Sequence, residues 1–388
     1  MDFDLTPAQV ALQERAREAG LRWRGQHTAW DRDDLSPYAE ITECLRDAGL
    51  LGLTIPVEYG GQGGTALDYV IVVEELFRSS QSWILGEPPF CTTGPGPSMI
   101  LLAESEETKR KFLPDVVAGV KGCAIALTEP DHGSDLTELE TVAKEHGDEY
   151  VVTGSKRFIT GSPENELYAV FARFQDIPGA RGVGCVLIEK GTPGLELKRG
   201  ARWVGSRGLP HGEVHMHGCR VPKVNVISGA GSFATLMTAF NMERLHNSIY
   251  SLAFAEAAFE ETVAYCEQRR SFGKPIIEFQ ATYHTLVDMH LAIEAHRLLT
   301  YRAAATAIDG RFPRPLESTV SKLSGATMLP DLTQKGLLLH GGDGATLDFP
   351  IQRLHRDAIA AMVAGGSPPV LRNTIASQLF PPHRFRQK

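Results

Sequence analysis

The chain has 388 residues, with 39 basic and 47 acidic side chains and a net charge of −8. That length buries a sizeable core and divides into two or three domains, while the acidic balance argues against nucleic acid or an anionic membrane as the main partner. Six scattered cysteines without a C-x-x-C pair read as reduced thiols. With no basic leader and no run of roughly 18 apolar residues, the expectation is a cytoplasmic protein without membrane insertion.

Residues 1–121 read as a helical domain. Thr6-Pro7-Ala8-Gln9 is a helix start, with a hydroxyl at the N-cap, Pro at the first helical position and Gln placed for a capping box. Tyr69–Arg78 and Glu106–Val117 are further helices. Gly60–Gly64 and Gly94–Pro97 read as loop punctuation between them.

Residues 122–228 change to short β-rich runs. Tyr150–Thr153 follows the turn signal His146-Gly147-Asp148, and Tyr168–Phe171, Val183–Ile188 and Val214–Met216 look like further strands. Regular spacing between Gly and Pro suggests an antiparallel barrel or sandwich.

Residues 229–388 return to long helices. Gly and Pro are absent from 233–270, so one helix of about 57 Å is allowed. The stretches 276–309 and 316–338 are the next two, and short connections point to an antiparallel bundle. Gly229-Ala230-Gly231-Ser232-Phe233-Ala234 matches a dinucleotide-binding pattern, but that reading needs another parallel strand after its helix. None is signalled, so these glycines read as a joint between barrel and bundle.

Three segments carry chemistry. Ala126–Asp135 holds Thr128-Glu129-Pro130 and Gly133-Ser134-Asp135, with Phe158-Ile159-Thr160 beyond a hairpin. Gln268-Arg269-Arg270-Ser271-Phe272-Gly273-Lys274 continues to Phe279-Gln280, and His340-Gly341-Gly342-Asp343-Gly344 precedes Pro350 and Arg356-Asp357. Together they resemble the acyl-CoA dehydrogenases, and the order of helical domain, central antiparallel β-barrel and C-terminal four-helix-type bundle is that family's order.

The resemblance implies FAD. Ile125, Leu127, Thr128, Ser134, Phe158, Ile159 and Thr160 would meet the isoalloxazine, where neutral donors stabilise charge on a reduced ring. Arg269, Ser271, Phe272 and Gln280 would serve the pyrophosphate and adenosine half, since a planar guanidinium fork suits linked phosphates. Leu338, Gly341, Gly342 and Ser367 complete the implied cofactor set. Leu338 stands where the family usually has Gln. The adenine-side segments of the family reach a neighbouring subunit's FAD, which implies a homodimer or homotetramer.

The implied reaction removes two hydrogens from the α and β carbons of an acyl thioester. Much of the family carries its base as a glutamate eight residues after the Arg-Asp pair, where this chain has Gly365. Other branches, including isovaleryl and long-chain enzymes, carry it on the long helix, at a place resembling Glu243. Glu243 is therefore the candidate base, set against its reading as an ordinary helical Glu-Arg pair. Ser134, Asn241, Arg244, Gly365 and Gly366 match positions along the acyl-CoA channel. Electron-transfer flavoprotein is the implied electron acceptor, and an acyl-carrier-protein thioester remains an alternative substrate. Two other readings stay open: a base-less partner in a hetero-oligomer, and a flavin oxidase or monooxygenase on the same fold.

Overall fold

The computed structural model describes residues 4–380. Seven helices come first: α1 Pro7–Leu21, α2 His27–Asp33, α3 Tyr38–Asp47, α4 Ala66–Ser80, α5 Glu87–Thr92, α6 Pro95–Leu101 and α7 Glu106–Val117. Thr6 caps α1 with the reciprocal bonds of a capping box to Gln9, and Thr65 does the same for α4 through Asp68. Such caps satisfy N–H groups that have no intrahelical partner. Helix α4 is buried along almost its whole length, so its charges need partners: Arg297 pairs with Glu74, which also accepts from the Tyr301 hydroxyl at 2.8 Å.

The middle of the chain forms β1 Cys123–Ala126, β2 Val142–His146, β3 Glu149–Thr160, β4 Leu167–Phe174, β5 Val183–Glu189, β6 Leu195–Arg199, β7 His211–Pro222 and β8 Val226–Ser228. The strand order is β6-β7-β3-β2-β4-β5-β8, with β1 paired to β4. This corrects the expected antiparallel barrel: the sheet is open and mixed. Both β1 and β2 run parallel to β4, and β2 meets it only at Val142↔Arg173 and Ala143↔Phe174. Closure would need the two edges to pair. Edge strand β8 has three residues, and β6 reads Leu-Glu-Leu-Lys-Arg without a fully buried position. A short edge and a charged edge are ordinary ways of ending a sheet without pairing.

The C-terminal part comprises α8 Phe233–Gln268, the small hairpin β9 Arg270–Ser271 with β10 Lys274–Pro275, then α9 Gln280–Ala305, α10 Pro315–His340, α11 Pro350–Val363 and α12 Pro368–Leu379. The 36 residues of α8 give it about 54 Å, and it packs on α4, α9, α10 and α11. Among the described residues no parallel strand follows it, so Gly229–Ala234 is the joint between sheet and bundle. Bundle and N-terminal helices are tied by Arg356, whose guanidinium donates to both carboxylate oxygens of Asp31 at 2.9 and 2.7 Å and to the Val204 carbonyl at 2.9 Å. Among the described residues, no helix is long and apolar enough to cross a membrane.

Candidate active site

A cavity of about 620 Å³ opens where sheet, α5, α8 and α11 meet. That volume lies within the range of small-molecule and cofactor sites. Ile125 and Leu127 reach its wall from the end of β1, and Thr128 and Ser134 from the loop after it. The loop is held by a buried ion pair: Lys156 Nζ donates to Glu129 at 2.7 Å and to the Leu127 carbonyl at 3.0 Å. Glu129 also accepts from the N–H groups of Glu140 and Thr141. The Glu of the Thr-Glu-Pro segment is thus an anchor. Its carboxyl is held below the usual range, the Lys156 ammonium and these donors outweighing burial, which alone would raise it.

Opposite that loop, β3 ends in Phe158, Ile159 and Thr160, all on the cavity wall. Pairing with β7 is broken by a bulge between Lys156 and Ile159, and Phe158 sits at φ +61°. A bulky residue in the left-handed region carries backbone strain, which concentrates at functional sites. The bulge turns the Phe158 ring outward against Trp203 at 5.6 Å, with the Arg157 guanidinium over it at 4.6 Å. Trp203 in turn lies on His211, 4.5 Å between centroids.

Glu243, Arg244, His246 and Asn247 project from α8 into the cavity, and Gly365, Gly366 and Ser367 close it from the turn after α11. Burial pushes the Glu243 carboxyl up to about 7, against the opposing pull of Arg244 and Lys322. Lys322 is itself lowered to about 7 by burial. Its Nζ donates to the carbonyls of Ala361 and Met362 at 2.9 and 3.3 Å, fixing the last turn of α11. The turn is then shaped by Gly365 at φ +68° and Gly366 at φ +115°. A Cβ on Gly365 would come 2.9 Å from Asn247 Nδ2, so this position presents backbone to the cavity. Arg244 is aimed by two acceptors at 3.2 Å, Asn241 Oδ1 and Thr319 Oγ1.

Asn241 therefore touches Arg244 and does not line the cavity. Arg269, Ser271, Phe272, Gln280, Leu338, Gly341 and Gly342 do not line it either. They lie elsewhere, on the β9–β10 hairpin, at the start of α9 and at the end of α10. Tyr265 joins them by donating to Asp343 at 2.7 Å and the His340 carbonyl at 3.1 Å, while Arg269 stands 4.0 Å from Asp343. Here Phe272 is 94 % exposed and Leu338 73 % exposed.

Several cavity residues were not read from the sequence: Trp83, Glu87, Phe90, Trp203, His211, His246 and Asn247. Glu87 is the most consequential. It is a single carboxylate in the apolar run Trp83-Ile84-Leu85-Gly86-Glu87-Pro88-Pro89-Phe90, and an acid so placed is either paired or functional. Burial raises it to about 8, with the Glu243 carboxyl also raising it and the Cys91 thiol pulling the other way.

Models of the three acyl-CoA dehydrogenase domains match in chain order: the N-terminal domain over residues 6–120, the middle domain over 124–219 and the C-terminal domain over 231–380. The chain belongs to the acyl-CoA dehydrogenase family. It is 33 % identical over 386 residues to a 3-sulfinopropanoyl-CoA desulfinase of Paraburkholderia xenovorans, covering 97 % of each chain. It is 32 % identical over 382 residues to the short-chain-specific acyl-CoA dehydrogenase of Clostridium acetobutylicum, covering 98 % of this chain and all of that one. Butyryl-CoA dehydrogenase from Megasphaera elsdenii superposes with a TM-score of 0.92 at 30 % identity, covering 98 % of this chain and 100 % of that one. A chain from a structure described as the electron transferring flavoprotein of Acidaminococcus fermentans superposes at 0.91, also at 30 % identity and with the same coverages.

The residues present fit the family's flavin. One wall supplies neutral donors, Thr128, Ser134 and Thr160, between the apolar side chains of Ile125, Leu127 and Ile159. Trp203 Nε1 and His211 Nδ1 are buried polar atoms on the same wall without a hydrogen-bond partner. A large planar heterocycle with polar edges matches both features.

Proposed function

We propose that this chain is an FAD-dependent acyl-CoA dehydrogenase in which Glu243 is the base and electrons leave to an electron-transfer flavoprotein. The observation that carries the reading is a half-buried carboxyl, Glu243, that lines the same cavity as the Thr128–Thr160 wall. A base of an α C–H works best when its pKa lies near the operating pH, and burial gives Glu243 that value.

In this reading the acyl thioester enters between Glu243 and the sheet. The flavin, when bound, supplies the two-electron acceptor for the β hydrogen. Glu243 accepts the α proton as that C–H bond breaks. The Gly365 N–H, which has no hydrogen-bond partner in the chain among the described residues, faces the thioester oxygen and polarises it. Lys322 acts through that turn by holding its two preceding carbonyls. Arg244, fixed by Asn241 and Thr319, lies along the thioester's path. Thr128, Ser134 and Thr160 would hold the flavin's polar edge, and Phe158 with Trp203 would cover it.

Arg269, Ser271, Phe272, Gln280, Gly341 and Gly342 serve the adenosine diphosphate half of FAD held by a second copy of the chain, so the working unit is at least a homodimer. Support comes from their exposure and from an apolar stripe on α9, where Tyr283, Val287, Leu291 and Leu298 are also exposed. Residues 1–121, 122–228 and 229–388 are the three domains that meet at the cavity, and the protein works in the cytoplasm.

Anaerobic addition of a panel of acyl-CoA thioesters to the purified flavoprotein tests the reading. Loss of the oxidised flavin band with a 2-enoyl-CoA product, and reoxidation by an electron-transfer flavoprotein, is the expected result. Bleaching by no thioester would remove the dehydrogenase reading, and reoxidation by oxygen at the turnover rate would replace it with an oxidase.

A further inference from the structure

The cavity holds two polar groups that the proposed reaction does not use. Glu87 is 1 % exposed, lies on the cavity wall, and hydrogen-bonds through one oxygen only, accepting from Cys91 Sγ at 3.1 Å. His246 is 4 % exposed, also on the wall, and its Nδ1 is taken by the Tyr69 hydroxyl at 2.8 Å. Among the described residues, neither the second Glu87 oxygen nor His246 Nε2 has a partner in the chain.

These groups are held in place by other buried side chains. Asn165 Nδ2 donates to Cys91 Sγ at 2.9 Å, and Tyr38 donates to Asn165 Oδ1 at 3.3 Å. Gly161 leaves room for this relay: a Cβ there would fall 2.1 Å from Asn165 Nδ2 and 3.4 Å from Glu87 Oε1. Phe90 packs on the His246 ring at 5.1 Å. The two free valences are therefore fixed in direction, and a purely apolar acyl group filling this space would leave both unmade.

We propose that Glu87 and His246 form a polar subsite for the acyl group, selecting thioesters whose acyl chain carries a hydroxyl. The inference rests on the dehydrogenase reading, which places the acyl group beside Glu243. A carboxylate on the acyl chain would lose its hydration here with no cation among the subsite groups, and would face the deprotonated working form of Glu243. An ammonium ion would lose its hydration among Trp83, Phe90 and Phe240 before gaining one counter-ion. A hydroxyl suits the groups as they stand. Burial keeps Glu87 protonated near neutrality and lowers His246 to about 3, so both are neutral. Either imidazole tautomer is matched, because a hydroxyl donates as well as accepts.

Binding separates this inference from the reading beneath it. In Glu243→Gln holoenzyme, calorimetry compares 4-hydroxybutyryl-CoA with pentanoyl-CoA and 5-hydroxypentanoyl-CoA with hexanoyl-CoA, each pair exchanging hydroxyl for methyl. A buried unsatisfied group costs about 1–3 kcal/mol, so at least one hydroxylated ligand should bind on the order of 10- to 100-fold more tightly than its partner. Adding Glu87→Leu should abolish that preference, and adding Glu87→Gln should keep most of it. Equal or tighter binding of both alkyl ligands overturns the subsite and leaves the dehydrogenase reading standing. Tighter binding of 3-aminopropanoyl-CoA than of 3-hydroxypropanoyl-CoA also overturns it. Binding of none, with no bleaching of the unmodified enzyme, overturns both. The hydroxyl-to-methyl comparison decides the matter even where Glu87→Leu does not fold.

Discussion

The cavity and the β9–β10 hairpin are both rich in residues that the family reading assigns to FAD, yet they are built in opposite ways. The named residues of the cavity wall all come from one chain. Glu87 is buried in the cavity and Glu243 half-buried, its loop is pinned by Glu129 and Lys156, and its turn is fixed by Lys322. The hairpin patch is bare, with Phe272 almost wholly in solvent and Arg269 loosely set against Asp343. Chemistry that depends on shifted pKa values needs a desolvated, pre-organised shell, whereas a surface that waits for a partner needs complementarity only once the partner arrives. If that contrast is right, damage to the cavity should alter reaction rate and chain stability, and damage to the hairpin should alter neither in the isolated chain.

The largest effect is expected at Glu243. Glu243→Gln should slow flavin reduction by acyl-CoA by a factor of about 10²–10⁴ or more, the range for losing a general base, with FAD still bound. Anaerobic stopped-flow absorbance measures it. A rate within threefold of the unmodified enzyme would remove Glu243 from the mechanism. The same change at Glu87 then asks whether the second carboxyl can be the base.

Next comes Lys156→Met. It leaves Glu129 buried without its cation, and breaking a buried pair from one side costs about 3–5 kcal/mol. Urea unfolding should show that loss, and Lys156→Met with Glu129→Gln should recover part of it. A loss below about 1 kcal/mol would mean the Thr128 loop is held by its backbone bonds alone.

How much of this was legible in the sequence differs between the two regions for a physical reason. Helix starts were readable where caps are local: Thr6 with Gln9 needs only three residues of separation. The length of α8 followed from the absence of Gly and Pro, and the Gly229 motif was rightly read as a joint. The sheet's closure was not readable, because whether β6 meets β8 depends on edge lengths and the splay of β1 from β2 along β4. Glu87, His246 and Trp203 were missed because each reaches the cavity by packing between elements far apart in the chain. Lys156 was missed for the same reason, since nothing local marks a lysine that will be fully buried beside Glu129.

A smaller effect separates the two cavity acids by pH. Deprotonated Glu243 is the working form, so flavin reduction should speed up as pH rises through about 7 and level off above it. Because Glu243 and Glu87 interact, the apparent values belong to the pair. For stability the sign is opposite. Glu87 has a folded pKa raised above its unfolded value, so its contribution is fully present in acid and is lost as pH rises through about 8. The unfolding free energy of the unmodified protein relative to Glu87→Gln should therefore decline from about pH 4.5 and level off above about pH 8. A flat difference across that interval would place Glu87 in contact with water.

The smallest effect on the chain itself should come from Phe272→Ala. An exposed ring at a hairpin tip has few contacts to lose, and substitutions of that kind usually fall within about 0.5 kcal/mol. Phe272 also sits at φ +49°, where alanine fares no worse than phenylalanine. Unfolding of the apo chain at low concentration should therefore be unmoved. At working concentration the same substitution should weaken both self-association and FAD retention, because under the proposed function this ring is buried only when a second copy brings its cofactor. Arg269→Ala should weaken FAD further, on the order of tenfold or more for a lost charge-assisted bond to phosphate. Sedimentation and FAD release, measured on one sample, separate the outcomes. Unchanged assembly with unchanged FAD affinity would show that the bare hairpin is simply surface, and that the cavity holds its cofactor within one chain.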